Sequence, residues 1–215
     1  MASIVPDESV TILIGCHYLA SDGGHFDFGQ PIGELLFRGR AFGPGNTDTI
    51  YMRLKEAVLP RLGSSVKIPI EMIKVQLESS QPVLIEGREF DASIILTPGK
   101  RSTGEMRITL HSDDDGTPSP HGTYDTNVAI FFDATLTPRD RASPSITRSD
   151  NIFIQSTSHG LWSLNPAPNM VTVIVPEGDG AGDTRMRTAN FYVVGTTPML
   201  DNRTLAGGAN TAALE

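Results

Sequence analysis

The chain has 215 residues, and its 17 basic and 25 acidic side chains give a formal charge of −8. This acidic balance argues against nucleic acid or an anionic membrane as a partner. No stretch of about 18 apolar residues is present, so no membrane-spanning helix is expected, and the single cysteine, Cys16, excludes an intramolecular disulfide.

The N-terminal region predicts two strands separated by a long loop. Val10–Ile14 is a short β-branched run that ends at Gly15, and the residues that follow, up to Gln30, are rich in Gly, Ser and Asp. Leu35–Phe42 alternates like a second strand. The turn-forming residues Gly43–Asn46 end it.

The next two segments predict strands with local irregularities. Ile50–Val58 fits both a helix and a strand, and we favour a strand because Pro60 closes the segment. Within Lys67–Leu77 the apolar positions change phase at Met72–Ile73, which predicts a β-bulge or a strand that passes from one sheet to another. Pro69 cannot donate to a ladder and places the start of this strand at a sheet edge.

Glu89–Leu96 and Glu105–Leu110 also alternate, and the exposed turn Pro98–Arg101 between them predicts a hairpin. Further along, the polar segment Pro138–Asp150 is long enough to cross between two sheets. The closing strands are expected at Ile152–Ile154, Met170–Val175 and Asn190–Val194.

Gly122–Leu136 shows the most regular alternation, with one face formed by Tyr124, Thr126, Val128, Ile130, Phe132, Ala134 and Leu136. Ala129 and Phe131 are also apolar, so this strand is expected to be central and to need a cover over Phe131. About nine strands with no helix between them predict an all-β fold, an antiparallel β-sandwich or jelly roll. We expect one domain over residues 1–200 and a loosely held tail over 201–215.

Parts of the chain resemble uncharacterised secreted bacterial proteins, many of which carry a C-terminal sorting or dockerin segment. The resemblance covers roughly residues 30–140 and is carried by Gly45–Ile50, Arg53–Ala57, Ile68–Leu77 and Gly122–Asp125. It implies export and carries no activity. The first residues lack the pattern of a signal peptide, so an extracellular or surface location is expected only if a leader was removed, and the cytoplasm otherwise.

The acidic loop after His111 is a candidate calcium site, and calcium is the cofactor that the sequence favours most. Calcium needs several closely spaced oxygens, and Asp113 and Asp115 supply two at suitable offsets, with Asp125 as a further ligand. His111 stands where the first EF-hand ligand belongs, and Gly122 replaces the bidentate Glu. The alternative is a solvated hairpin loop.

The five histidines offer a second, transition-metal hypothesis. His17, His25 and Asp27 could share one loop, and His111 and His121 another. Nitrogen and oxygen ligands of this kind suit a transition metal, although the spacing matches no known zinc site.

Trp162, the single tryptophan, follows His159 closely in a predicted loop. Tryptophan and histidine on loops can hold a sugar by stacking and hydrogen bonding, which makes both residues candidate ligand contacts. The alternative is that Trp162 closes one end of the core.

These patterns favour a non-enzymatic β-sandwich that binds a ligand or self-assembles, because strong strand patterns stand beside no recognisable catalytic constellation. Its partners would be a second copy, another protein or a glycan, reached through sheet edges and loops. Two other hypotheses remain: a metal-dependent hydrolase or lyase built on the His and Asp loops, and a calcium-stabilised carbohydrate-binding module.

Overall fold

The computed structural model confirms the all-β class. It describes residues 9–19, 24–29, 32–42, 47–111, 120–140, 143–156, 160–165, 172–173, 191–194 and 199–200. Within these ranges every regular element is a strand, and no helix is long and apolar enough to cross a membrane. The predicted tail lies outside the described residues.

The described residues form sixteen strand segments, more than the nine or so predicted. One predicted strand, Ile50–Val58, is divided into two, and five strands lie where none was predicted: Gly15–Leu19, Gly24–Asp27, Val83–Ile85, Gly160–Ser163 and Met199–Leu200. The sixteen are β1 Val10–Ile12, β2 Gly15–Leu19, β3 Gly24–Asp27, β4 Glu34–Gly39, β5 Thr49–Arg53, β6 Ala57–Leu59, β7 Ser65–Ser79, β8 Val83–Ile85, β9 Arg88–Leu96, β10 Ser102–Leu110, β11 His121–Pro138, β12 Ile146–Gln155, β13 Gly160–Ser163, β14 Thr172–Val173, β15 Tyr192–Val194 and β16 Met199–Leu200.

Two long strands, β7 with 15 residues and β11 with 18, organise a twelve-stranded antiparallel sheet. Each is long enough to pair with two successive strands on either side. β7 pairs with β10 and then β9 on one side, and with β5 and then β4 on the other. β11 likewise holds β10 and β9 on one side, and β13 and β12 on the other. β2 extends the sheet beyond β5, and β3 extends it beyond β4.

β9 and β10 lie in line rather than side by side, so the predicted hairpin is wrong. Each pairs with both β7 and β11, and within the described residues they do not pair with each other. Pro98–Arg101 is therefore an excursion within one interrupted strand. Phe131 of β11 anchors both ends of this excursion: its C=O accepts the N–H of Thr97 at 3.0 Å, and its N–H donates to Ser102 Oγ at 3.0 Å.

The same excursion covers Phe131. The side chain of Phe131 is half-buried, and Lys100 places Nζ 5.3 Å from the centroid of its ring. β11 is thus a central strand, as its alternation predicts, and a turn of the same chain lies over its second apolar position.

The irregularity predicted at Met72–Ile73 is confirmed. Ile50 pairs with Lys74 and Tyr51 pairs with Met72, so Ile73 is the extra residue of a β-bulge. Before the bulge the even-numbered side chains of β7 are buried, and after it the odd-numbered side chains Val75 and Leu77 are buried. The bulge therefore keeps apolar side chains of both halves in the core.

The loop predicted from Gly15 to Gln30 is wrong in part, because it contains β2 and β3. β2 is buried on both faces: His17 points into the main core, whereas Cys16 and Tyr18 pack with Ile50 in a second cluster. Cys16 is buried and is not part of a disulfide. A strand buried on both faces has no alternation, which is why its pattern was missed.

Two further segments differ from their predictions. Ile50–Val58 forms strand structure as expected, but it is divided into β5 and β6, and β6 pairs with β1 in a separate two-stranded sheet. Pro138–Asp150 does not cross between sheets. The chain returns at Ile146 and pairs β12 directly with β11.

Ser102 provides a test of the junction between β9 and β10. Its side chain is 1% exposed and accepts the backbone N–H of Phe131, so Ser102→Ala leaves that donor without its partner. We expect a loss of about 1–3 kcal/mol in the free energy of unfolding, measured by urea denaturation. Thr103→Ala, at the exposed neighbouring position, is the control and should change stability little. Equal stability of the Ser102 variant and the wild type would contradict this role.

Candidate functional site

An apolar cleft of about 460 Å³ opens between β3 and β12. The buried part of its lining comes from β5, β7, β9 and β11, and is formed by Thr49, Tyr51, Met72, Val75, Leu77, Ile94, Ile130 and Phe132. Sites for small ligands commonly have volumes of about 300–1,000 Å³ and predominantly apolar walls. The cleft falls within this range.

The rim of the cleft carries its polar groups. These are His25 on β3 and Gln155 on β12, which are both exposed. The rim also has one large apolar side chain that is 65% exposed, Phe153 of β12. Phe26 turns inward from β3, and its ring packs edge-on against Phe132 at 5.9 Å between centroids. A ligand in the cleft would thus contact hydrocarbon below and polar side chains at the entrance.

The sequence did contain a signal for β3, although it was interpreted as loop. The polar residues His25 and Asp27 alternate with Phe26 and Phe28, which is the period of a strand with one buried face. The surrounding glycines hid this short pattern.

Beneath the cleft, Tyr51 belongs to a buried aromatic cluster of His17, Tyr51, Tyr124, Trp162 and Phe191. The rings of Tyr51 and His17 stack with centroids 5.2 Å apart and planes at 12°. His17 also contacts Tyr124 at 5.9 Å and Phe191 at 5.6 Å, and Phe191 stacks on Trp162. The aromatic cluster joins β2, β5, β11, β13 and the start of β15.

Arg53 is fully buried against the aromatic cluster. Its guanidinium carbon lies 4.7 Å from the centroid of Phe191, and its Nε donates to the C=O of Leu13 at 3.1 Å. Burial lowers the pKa of the Arg53 guanidinium to about 9, and the neighbouring Cys16 opposes this change. Arg53 therefore stays cationic at neutral pH, and the face of Phe191 stabilises its charge.

His17 is kept neutral by its surroundings. Its side chain is 0% exposed, and neither ring nitrogen has a hydrogen-bond partner among the described residues. Burial, followed by the positive charge of Arg53, lowers the pKa of His17 well below 6.5. His17 does not line the cleft, whose floor at this point is Tyr51, so this imidazole is not placed to act on a bound molecule.

Trp162, a predicted ligand contact, lies inside the core. It is 0% exposed, and its Nε1–H is shared between the carbonyls of Thr109 at 3.2 Å and Thr123 at 3.1 Å. A ring in this position has no free face for a sugar, and it matches the alternative that Trp162 closes one end of the core. His159 lies outside the described residues, so its role stays a prediction.

Of the three predicted calcium ligands, only Asp125 lies within the described residues. It is paired in register with Arg107 and shares a shallow polar groove with Lys67. Asp125 lies four residues beyond His121, the first residue of β11. At about 3.3 Å per strand residue, it is therefore about 13 Å from the acidic loop. Calcium binding by Asp113 and Asp115 stays a prediction.

The first predicted group of metal ligands, His17, His25 and Asp27, is separated in the structure. His17 is in the core, His25 is on the rim of the cleft, and Asp27 accepts the N–H of Gly29 at 2.8 Å. The second pair, His111 and His121, does come together: the backbone N–H of His111 donates to the C=O of His121 at 3.0 Å. The His121 side chain is buried, however, and His111 Nε2 bonds to the hydroxyl of Thr123. In the described part of the chain, no three His, Cys, Asp or Glu side chains are grouped as metal ligands.

Comparison with known proteins adds no relative. No protein-family model matches the chain, and no curated protein or solved structure is significantly similar to it. The geometry of the cleft and of the residues beneath it therefore carries the functional argument.

The neutral state of His17 predicts a pH-dependent stability. Because its pKa is lowered in the folded protein, the unfolded chain takes up the proton first as the pH falls below about 6.5. The contribution of neutral His17 to the free energy of unfolding is complete above that pH. Below it, this contribution falls by up to about 1.4 kcal/mol per pH unit. His17→Leu should remove this component from urea unfolding measured between pH 7.5 and pH 5. His25→Leu, at an exposed position, should keep the wild-type slope. Identical slopes in wild type and the His17 variant would refute the argument.

Proposed function

We propose that this protein is a non-enzymatic binding module that takes a small, largely apolar molecule into the cleft between β3 and β12. The observation that carries the proposal is the cleft itself, with its volume of about 460 Å³ and a floor of buried aliphatic and aromatic side chains. Burial of hydrocarbon in such a cavity is favourable by about 25 cal/mol per Å² removed from water.

The distribution of polar groups supports a ligand with a hydrocarbon body and one polar end. Thr49 and Tyr51 are the polar side chains of the buried lining, and the Thr49 hydroxyl already donates to Asp48 at 2.7 Å. His25 and Gln155 remain at the entrance as hydrogen-bonding partners. The polar end of the ligand would face solvent beside them.

The chemistry of the lining supports binding rather than catalysis. The lining contains no carboxylate and no cysteine, and His25 is its single titratable imidazole. Burial raises the pKa of the Tyr51 phenol, so that group remains protonated at neutral pH and is no general base. Export to the cell surface, which rests on the resemblance to secreted bacterial proteins, is part of the same proposal.

Gly24 allows the cleft to be filled from one position. It lines the cleft, and a Cβ built on it meets its nearest neighbour, the ring of Phe26, at an ordinary 3.9 Å. Dansylaminoundecanoic acid, a fluorescent molecule with a hydrocarbon chain and one carboxylate, should bind the wild type with one-to-one stoichiometry. Gly24→Trp should weaken its binding at least tenfold by occupying the cleft.

Gly24→Ala is the matched control, because its single methyl group leaves the cleft open, and it should bind the probe like the wild type. Circular dichroism would establish that both variants are folded. Equal affinity of the Trp variant, or no saturable binding to the wild type at millimolar probe, would refute the proposal.

A further inference from the structure

β12 is a long strand at an edge of the main sheet. It spans ten residues and pairs along its length with β11, and it pairs with no other strand in the described part of the chain. Nine of its ten side chains are exposed, among them Ile146 at 48% and Phe153 at 65%. Natural edges are usually blocked by Lys, Pro, a bulge or a short length, and the sequence of β12 contains neither Lys nor Pro.

The hydrogen-bond pattern shows which residues present their backbone at the open edge. Ser156, just beyond β12, donates its N–H to the C=O of Thr126 on β11 at 2.9 Å. Backbone groups alternate in direction along a strand, so even-numbered residues of β12 bond to β11. The odd-numbered residues point away from β11. Thr147, Ser149 and Asn151 therefore offer their N–H and C=O groups at the middle of this edge.

The sequence of β12 is complementary to itself about Ser149. If a second copy pairs antiparallel with Ser149 opposite Ser149, Thr147 faces Asn151 and Ile146 faces Ile152. Arg148 then lies opposite Asp150 of the second copy, and the reverse pair repeats across the two-fold axis. These two ion pairs fall in non-hydrogen-bonded positions, where facing side chains are closest.

Neighbouring registers lack this complementarity. A two-fold axis at Asp150 places the two carboxylates directly opposite each other, and an axis at Arg148 does the same for the guanidinium groups. Like charges in facing positions destabilise a pair of strands. The charges of β12 thus select the register centred on Ser149 within the seven residues from Ile146 to Ile152.

One contact in the isolated chain would be exchanged on pairing. Asp150 accepts the N–H of Asn151, a group at the open edge, at 2.7 Å. In the paired register that N–H would donate to Thr147 of the second copy. The Asp150 carboxylate would then be free to accept from Arg148 of the second copy, so the exchange leaves each of these groups with a partner.

We infer that this chain forms a symmetric homodimer in which two β12 strands pair antiparallel about Ser149 and continue the main sheet from one copy into the other. The inference concerns the backbone edge of β12, not the floor of the cleft, and it does not depend on any ligand. The symmetry is closed, because an isologous edge contact occupies the β12 edge of both copies.

Charge reversal tests the register by sedimentation equilibrium of the full chain without ligand. Arg148→Asp and Asp150→Arg, made singly, should each weaken the dimer at least tenfold, since each creates like-charged facing pairs. The double variant restores opposite charges and should return the dissociation constant to within about threefold of the wild type. Lys55→Asp, an exposed charge reversal outside β12, should leave the dimer intact.

Disulfide trapping supplies a second, independent measurement. Facing residues of a hydrogen-bonded pair have Cα atoms about 5.5 Å apart, which suits a disulfide, so Ser149→Cys should give a covalent dimer on mild oxidation. Asn151→Cys places its two sulfurs about 13 Å apart along the strand and should not. Because native Cys16 is buried, the oxidised wild-type protein shows the background level of cross-linking.

Two outcomes would overturn the inference. The first is a wild type that stays monomeric at several hundred micromolar with no covalent dimer of Ser149→Cys, in which case Arg148 and Asp150 serve to block the edge. The second is a dimer that both single charge reversals leave unchanged, which would place the interface elsewhere. Neither outcome bears on binding of the apolar probe.

Discussion

The architecture depends on the junction at Phe131, where one backbone holds two strands in line. Its N–H and C=O bond to Ser102 and Thr97, so β9 and β10 form a single row between β7 and β11 in spite of the excursion between them. Because that row is long, β7 and β11 must be long as well, and each has room for two strands on its other side. The pairs β5 with β4, and β13 with β12, follow from this length. The cleft lies where β3, carried by β4, faces β12 across the core.

The aromatic cluster joins strands from early and late in the sequence to this frame. Phe191 immediately precedes β15 and Trp162 lies in β13, whereas His17 and Arg53 come from β2 and β5. A buried cation is costly unless polar or aromatic groups stabilise it, and Arg53 has the carbonyl of Leu13 and the ring of Phe191. Burial, followed by the charge of this cation, lowers the pKa of His17 and keeps it uncharged. Tyr51 connects the aromatic cluster to the cleft, because it belongs to the cluster and also forms part of the cleft floor.

The candidate site was harder to predict than the fold, for a physical reason. Residue types typical of catalysis or metal binding favoured Trp162, Asp125 and the histidines, yet Trp162 is packed in the core and Asp125 faces Arg107 across the sheet. The cleft is lined by ordinary core residues such as Val75 and Ile130, whose pattern is the same as that of any buried strand. A cavity arises where two layers fail to meet, and no single residue type marks such a place.

Alternation of apolar side chains is a local property, and it was sufficient to predict the all-β class, the central strand β11 and the bulge at Ile73. These features depend on which face of one strand is buried. Partner choice depends on groups far apart in the chain. A turn such as Pro98–Arg101 looks the same whether it reverses the chain or interrupts a strand, and the bonds to Phe131 decide between the two. The double burial of β2, the position of Trp162 and the open edge of β12 were likewise decided by long-range packing.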